Sequence, residues 1–202
     1  MRIFSHFRFA RTVAAAAALA LAAPALAQAP VSPAPEIAMP DGRSTGDASS
    51  AQAVELVARP AAMISGSADW EEGFATLMKS FDALRGAMDK AGLKAGGKPI
   101  AVFIDTDDQG FKYQAMIPLD AAPVAGQSLA APVSLGKTPA GKTMKFEHRS
   151  AYDDIDSTYE AITAYLDEKG IEAKPLFVEE YATEPKTADD TALQVDIFVF
   201  LK

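Results

Sequence analysis

Apolar residues along this chain recur with two different periods. Trp70, Phe74, Leu77, Met78, Phe81, Leu84 and Met88 follow one another at three- and four-residue steps, which predicts a helix over Asp69–Ala91 with one apolar face. Asp69 stands where an N-cap belongs, and Gly92 follows the last turn. A second helix is predicted over Asp153–Lys169, with Ile155, Tyr159, Ile162 and Leu166 on one face and Gly170 closing it. Elsewhere the period is two. Strands are predicted over Val54–Gly66, broken at Pro60, and over Pro99–Asp105, Phe111–Leu119, Lys142–Arg149, Pro175–Tyr181 and Thr191–Leu201. The acidic turn TDDQG joins the second and third of these as a hairpin. The Pro-, Ala- and Gly-rich passage Asp120–Gly141 reads as a connection.

Each half therefore reads strand–helix–strand–strand. GKPIAVFID in the first half parallels AKPLFVEEY 76 residues later. The expected fold is α+β: a tandem repeat with pseudo-twofold symmetry, forming an antiparallel sheet with two helices on one face. The other face is expected to be partly open, with a ligand cleft along the pseudo-twofold axis. Alternation assigns Ile100, Val102, Leu176 and Val178 to the helix side, together with Val195, Ile197, Val199 and Leu201. Phe177, Glu179 and Tyr181 then face the cleft, with Glu179 where the first half has Phe103; Gln194, Asp196, Phe198 and Phe200 share that side.

The N-terminus has another character. Arg2, Arg8 and Arg11 precede the apolar run Val13–Ala27, which ends in Ala25-Leu26-Ala27. That order is a secretory signal peptide, residues 1–27, with cleavage expected after Ala27. The run is short of the roughly 20 residues that span a bilayer, and Pro24 interrupts it, so no membrane insertion is expected after cleavage. The predicted location is the periplasm. Residues 28–52, with Pro30, Pro33, Pro35 and Pro40 and almost no large apolar side chain, read as a disordered linker. The predicted folded domain is 53–202. Loss of three arginines takes the formal charge from −8 to −11, which opposes nucleic-acid binding. The chain has no Cys, which excludes disulfides, thiolate metal sites and a Cys nucleophile.

Chemistry concentrates at Glu179. A carboxylate among aromatic rings is partly desolvated, which raises its pKa. Such a group binds a cation, with the rings adding cation–π attraction, or acts as a general acid or base. The alternative for Glu179 or Glu180 is an ordinary solvated residue on an uncovered sheet face. His148 is read as structural, because His6 departs with the leader and one His makes no metal site. TDDQG lacks the remainder of a calcium loop. No Ser-His-Asp set, phosphate-binding loop or dinucleotide loop is present, and neither metal nor cofactor is expected.

The stretches AGKTMKFEHRSAYDDIDSTYEAITAYLDEKG, FVEEYATEP and LQVDIFVFL resemble the GyrI-like small-molecule-binding family, which is also the effector-binding domain of bacterial multidrug-responsive transcription activators. The family pattern is a strand ending in His-Arg-Gly-x-Tyr, a helix, Glu-x-Tyr-x-x-x-Pro, and a closing apolar strand. It falls here on His148, Arg149 and Tyr152, then on Glu179, Tyr181 and Pro185, then on Asp196–Leu201. Ser150 and Ala151 depart from it, which bears on the turn before the second helix. The resemblance spans roughly Ala53–Lys202 and implies the same fold, with Glu179 in the ligand cleft. In multidrug sensors that Glu meets lipophilic cations among aromatic side chains; some stand-alone relatives look like hydrolases using a Glu and a Tyr.

The expectation is thus an exported small-molecule binder, taking a partly apolar, possibly cationic ligand. Its cleft would be built from Glu179, Tyr181, Phe177, Phe103, Tyr113, Phe198 and Tyr152. A hydrolase using Glu179 as general base, with Tyr181, is the alternative, and a protein-interaction module the third. No contact with gyrase is expected of an exported acidic protein.

Overall fold

A computed structural model describes residues 51–184 and 186–202. The predicted leader, nearly all of the predicted linker, and Pro185 of the sequence motif lie outside the described residues. The first predicted strand is two: Pro60 starts a new one, giving β1 (Gln52–Leu56) and β2 (Pro60–Asp69). α1 (Gly73–Lys90) follows a 3-10 turn over Trp70–Glu72. The helical path thus starts at the predicted place, but Asp69 makes no side-chain capping bond. β3 (Ile100–Thr106) and β4 (Gly110–Pro118) form the predicted hairpin. Its turn is an Asx turn: Asp107 Oδ1 accepts from the amides of Gln109 (2.8 Å) and Gly110 (3.0 Å).

The connection Asp120–Gly141 contains an unpredicted strand, β5 (Ser134–Lys137). Four residues with a Gly among them carry too little alternation to announce a strand. β6 (Gly141–Arg149), a 3-10 turn over Tyr152–Asp154, α2 (Ile155–Lys169), β7 (Ala173–Tyr181) and β8 (Gln194–Leu201) complete the chain. No non-glycine residue among those described has a positive φ, so Ser150, at the Gly position of the pattern, needs no glycine conformation; Ala151 after it is extended at φ −58° and ψ 145°. Among the described residues no helix is long and apolar enough to cross a membrane.

The strands form one antiparallel sheet in the order β1-β6-β8-β7-β3-β4-β2-β5. The order is unchanged when each of β1–β4 is exchanged with the strand four later in the chain. β3 and β7 are therefore central, and Val102 pairs with Val178 across the symmetry axis.

This order forces the sheet to curl. β1 and β2 are six strand spacings apart, about 29 Å in a flat sheet. Yet only residues 57–59 separate Leu56 from Pro60, a reach of about 15 Å. The same holds for β5 and β6, separated by residues 138–140. Both helices pack on the convex face. The main core contains Leu77, Phe81 and Leu84 of α1, Ile155, Ile162 and Leu166 of α2, and the strand residues Phe103, Phe146, Phe177, Tyr181 and Ile197. A smaller core of Ala61, Ile100, Val102, Met116, Val178, Phe198 and Phe200 fills the concave face.

The two cores correct the predicted sidedness of the central strands. Ile100, Val102, Leu176 and Val178 lie on the concave face, and Phe177, Glu179 and Tyr181 face the helices. Val195, Ile197 and Val199 of β8 lie on the helix side as expected. The face without helices is not left open either, because curling buries it. Both faces of β3 and β7 are therefore apolar, and alternation along those strands alone could not say which one the helices cover.

Candidate functional site

The site is built on β7. Glu179 pairs with Ala101 of β3 on one side and Ile197 of β8 on the other. Directly opposed residues share a face, so its side chain points toward the helices. There it is 1% exposed. Tyr159 of α2 donates its hydroxyl to Oε1 at 2.8 Å. Tyr181, two residues along the same strand, donates to Oε2 at 2.8 Å, and Tyr152 donates to Oε2 at 3.3 Å. A buried carboxyl is thus ringed by three phenols from three elements.

Aromatic packing holds the phenols in place. Tyr152 stacks on Tyr181 with ring centres 6.4 Å apart and planes at 21°. Phe74 of α1 packs on Tyr152 at 5.0 Å, and Phe81 of α1 meets Tyr181 edge-on at 5.4 Å. Tyr159 meets Phe177 edge-on at 5.9 Å. Residues of both helices therefore pack around the carboxyl and its phenols.

Burial dominates its electrostatics. Loss of water pushes the Glu179 carboxyl up to about 7, against the pull of the hydroxyls of Tyr181, Tyr159 and Tyr152, which favour the charged form. The three phenols are held well above their ordinary range, first by burial and then by the neighbouring carboxylate. Charge-assisted hydrogen bonds offset part of the cost of a buried anion, but a cation would offset more.

Of the residues expected in the cleft, the structure brings Glu179, Tyr181, Tyr152 and Phe177 together. Phe103 shares their face, directly opposite Phe177, but its ring packs on Phe111 at 5.2 Å. Tyr113 is committed elsewhere: its hydroxyl lies 2.8 Å from Ser80 Oγ in a buried pair. Phe198 is on the concave face, because it pairs with Val178 and not with Glu179.

Tyr159 lies on the apolar stripe of α2, and its periodicity alone does not mark its bond to Glu179. The available signal was the phenol itself, in a stripe otherwise of Ile and Leu, since a buried Tyr hydroxyl needs a partner. Phe74 and Phe81 belong to the α1 stripe, and nothing local distinguishes a core Phe from one that packs on these phenols.

His148 is structural. It is 1% exposed, and Nε2 lies 3.0 Å from the Ala151 carbonyl, which can only accept. Nε2 therefore carries the proton, and Nδ1 accepts from Thr158 Oγ1 at 2.8 Å. Burial holds the ring below its ordinary pKa. The pair fastens the end of β6 to the first turns of α2, which in turn places Tyr152 and Tyr159. Trp70 is also a core residue, packed on Phe111 at 5.0 Å with its indole N–H on the Asp107 carbonyl at 2.9 Å. Among the described residues no group of three or more His, Asp or Glu is arranged to hold a metal.

The sequence model for the GyrI-like small molecule binding domain matches residues 52–202. A comparison with curated protein sequences returns no significant match. Similar solved structures include EcmrR in its complex with DNA, at 13% identity and a TM-score of 0.61, over 74% of this chain and 56% of that one. This chain thus spans little more than half of EcmrR. SAV2435 bound to tetraphenylphosphonium is similar at 14% identity and a TM-score of 0.53, over 75% of this chain and 93% of that one. A hydrolase from Listeria innocua is similar at 12% identity and a TM-score of 0.55, over 75% and 91% of the two chains. At such identities the likeness is one of fold.

Proposed function

Because this chain belongs to the GyrI-like small molecule binding domain family, we propose that its ligand is a partly apolar cation held at Glu179. One observation carries the reading. Glu179 is fully buried, accepts from three phenols and is ringed by aromatic faces, and among the described residues it has no ion pair. A buried acid without a cation is costly, so a ligand that supplies the cation gains from it. The phenol and phenyl faces add cation–π attraction and apolar contact. The tetraphenylphosphonium seen in SAV2435 makes that ion a reasonable first probe.

The test is a thermal-shift titration with tetraphenylphosphonium. A ligand at about 100 times its Kd stabilises the folded state by roughly 2.7 kcal/mol. Glu179→Gln keeps the shape and removes the charge, and is expected to abolish most of the shift. Equal shifts in the two proteins would sink this site.

A carboxyl that ionises near neutrality is also suited to general-base chemistry, and this supports hydrolysis as the second reading. Turnover of activated esters that Glu179→Gln abolishes would favour it. In either reading the protein works outside the cytoplasm, on the strength of its leader-like N-terminus. Mass spectrometry of the protein secreted by its host is expected to find a chain beginning at Gln28.

A further inference from the structure

The concave face holds a cavity of about 200 Å³, on the other side of the sheet from Glu179. Its floor is Ile100, Val178 and Phe198, and Leu56 forms part of its wall. The two crossing segments that close the curled sheet form its mouth: the Arg59 amide donates to Thr138 Oγ1 at 3.0 Å, and the Thr138 amide donates to the Arg59 carbonyl at 2.9 Å. Val57, 76% exposed, stands at the rim.

Two charges face this apolar floor, and each is underused. Arg59 Nη2 and Glu180 Oε2 are 3.7 Å apart, beyond hydrogen-bond distance. The guanidinium lies against the backbone at Gly97, where the Cβ of any other residue would approach Nη1 to 2.7 Å. Glu180 is half-buried and sits directly across the strand pair from Asp196, an arrangement of like charges that costs stability. Lys145 pairs with Asp196 at 2.7 Å; Arg59 is the cation in ion-pair range of Glu180, with Lys145 and Lys98 attracting it from farther off. Burial accordingly pushes the Glu180 carboxyl up, although Arg59 pulls it down. A positive and a negative group side by side above an apolar floor are complementary to a ligand with the opposite pair of charges and an aliphatic tail.

We infer that this concave-face cavity is a second ligand site, separate from the Glu179 chamber, that binds a small zwitterion of the aliphatic α-amino-acid class. The carboxylate lies on the Arg59 guanidinium and the ammonium on Glu180, with Glu55 at the mouth adding to the attraction for the ammonium. The side chain rests on Ile100, Val178 and Phe198. A volume equal to about seven waters accepts a molecule of roughly nine non-hydrogen atoms such as leucine, with part of its backbone in the open mouth.

The experiment is an NMR titration of the full chain with L-leucine, 4-methylpentanoate and 3-methylbutylamine. The last two are leucine without its ammonium and without its carboxylate. Saturable shifts at Arg59, Ile100, Val178 and Glu180 are expected with leucine, and each one-headed analogue is expected to bind about tenfold more weakly, as loss of one charged hydrogen-bonded contact implies. Arg59→Gln weakens leucine about tenfold and leaves the amine nearly unchanged; Glu180→Gln does the converse with the carboxylate. Glu179→Gln leaves leucine binding intact, which separates this site from the one above. The inference is overturned if leucine gives no saturable shifts, if its shifts centre on Glu179, or if either analogue binds as well as leucine. The analogue comparison uses the unaltered protein, so it stands whether or not the variants fold.

Discussion

At the scale of the residue, Glu179 places a large part of its environment's cost on one proton. Below about pH 4.5 the carboxyl is protonated in both the folded and unfolded chains. Between 4.5 and about 7 the unfolded chain has released the proton and the folded chain still holds it. Stability therefore falls as pH rises through this window, by about 3 kcal/mol in total, and stays low above it. Burial of His148 acts in the opposite sense, since its unfolded form takes up a proton as pH falls below about 6.5. The useful quantity is thus the difference between wild type and Glu179→Gln, in which the histidine cancels. Denaturant unfolding from pH 4.5 to 8 is expected to show the variant gaining on the wild type across the window. A difference independent of pH would mean that Glu179 is ionised throughout. Tyr181 gives the strongest of the three pulls on this carboxyl, and Tyr152, at 3.3 Å, the weakest. Side-chain NMR titration is accordingly expected to find the carboxyl raised further in Tyr181→Phe than in Tyr152→Phe.

At the scale of the element, the helices serve as arms that carry phenols and phenyls over β7. Their lengths are set locally, and α2 shows how. Gly170 ends it in the left-handed conformation at φ 62°, where its amide bonds to the Asp167 carbonyl. A Cβ at this position would meet nothing within 4 Å. Gly170→Ala therefore isolates the backbone cost of that conformation, about 1–2 kcal/mol, without a steric clash. Chemical denaturation measures it, and a neutral effect would mean the cap relaxes into another conformation. The helix periods and Gly170 were legible in the sequence, because a helix states its buried face through i, i+3 and i+4 spacing. The chamber face of β7 was not. Phe177, Glu179 and Tyr181 alternate with Leu176, Val178 and Glu180, and each set is as fit for burial as the other. Pairing decides the matter, since Glu179 opposite Ile197 must share its face.

At the scale of the whole molecule, the short crossings 57–59 and 138–140 turn an eight-stranded sheet into a curled one with an apolar core on each face. The Arg59–Thr138 clasp holds them together at the concave mouth. Thr138→Val keeps the shape of this buried side chain and leaves the Arg59 amide without its acceptor. Thermal unfolding is expected to register a loss of about 1–3 kcal/mol. A change of no more than a few tenths of a kcal/mol would show that the backbone bond from Thr138 to Arg59 holds the crossings without the side-chain one. The same curl explains why helices are needed on one face only: the concave side fills itself with Ile100, Val102, Val178, Phe198 and Phe200.

The sequence by itself determined the α+β class, the order of all the long elements and the family resemblance, and it singled out Glu179, which the structure buries among three phenols. These properties are written in local periodicity and in motif spacing, both of which survive without knowledge of contacts. It could not show β5, the direction in which Glu179 points, or the partnership of Tyr159 with it. Nor could it show that Phe198 belongs to a separate cavity with Arg59 and Glu180. Those depend on which strands lie side by side and how far the sheet bends, quantities set by contacts between residues more than 70 positions apart such as Ala101 with Glu179.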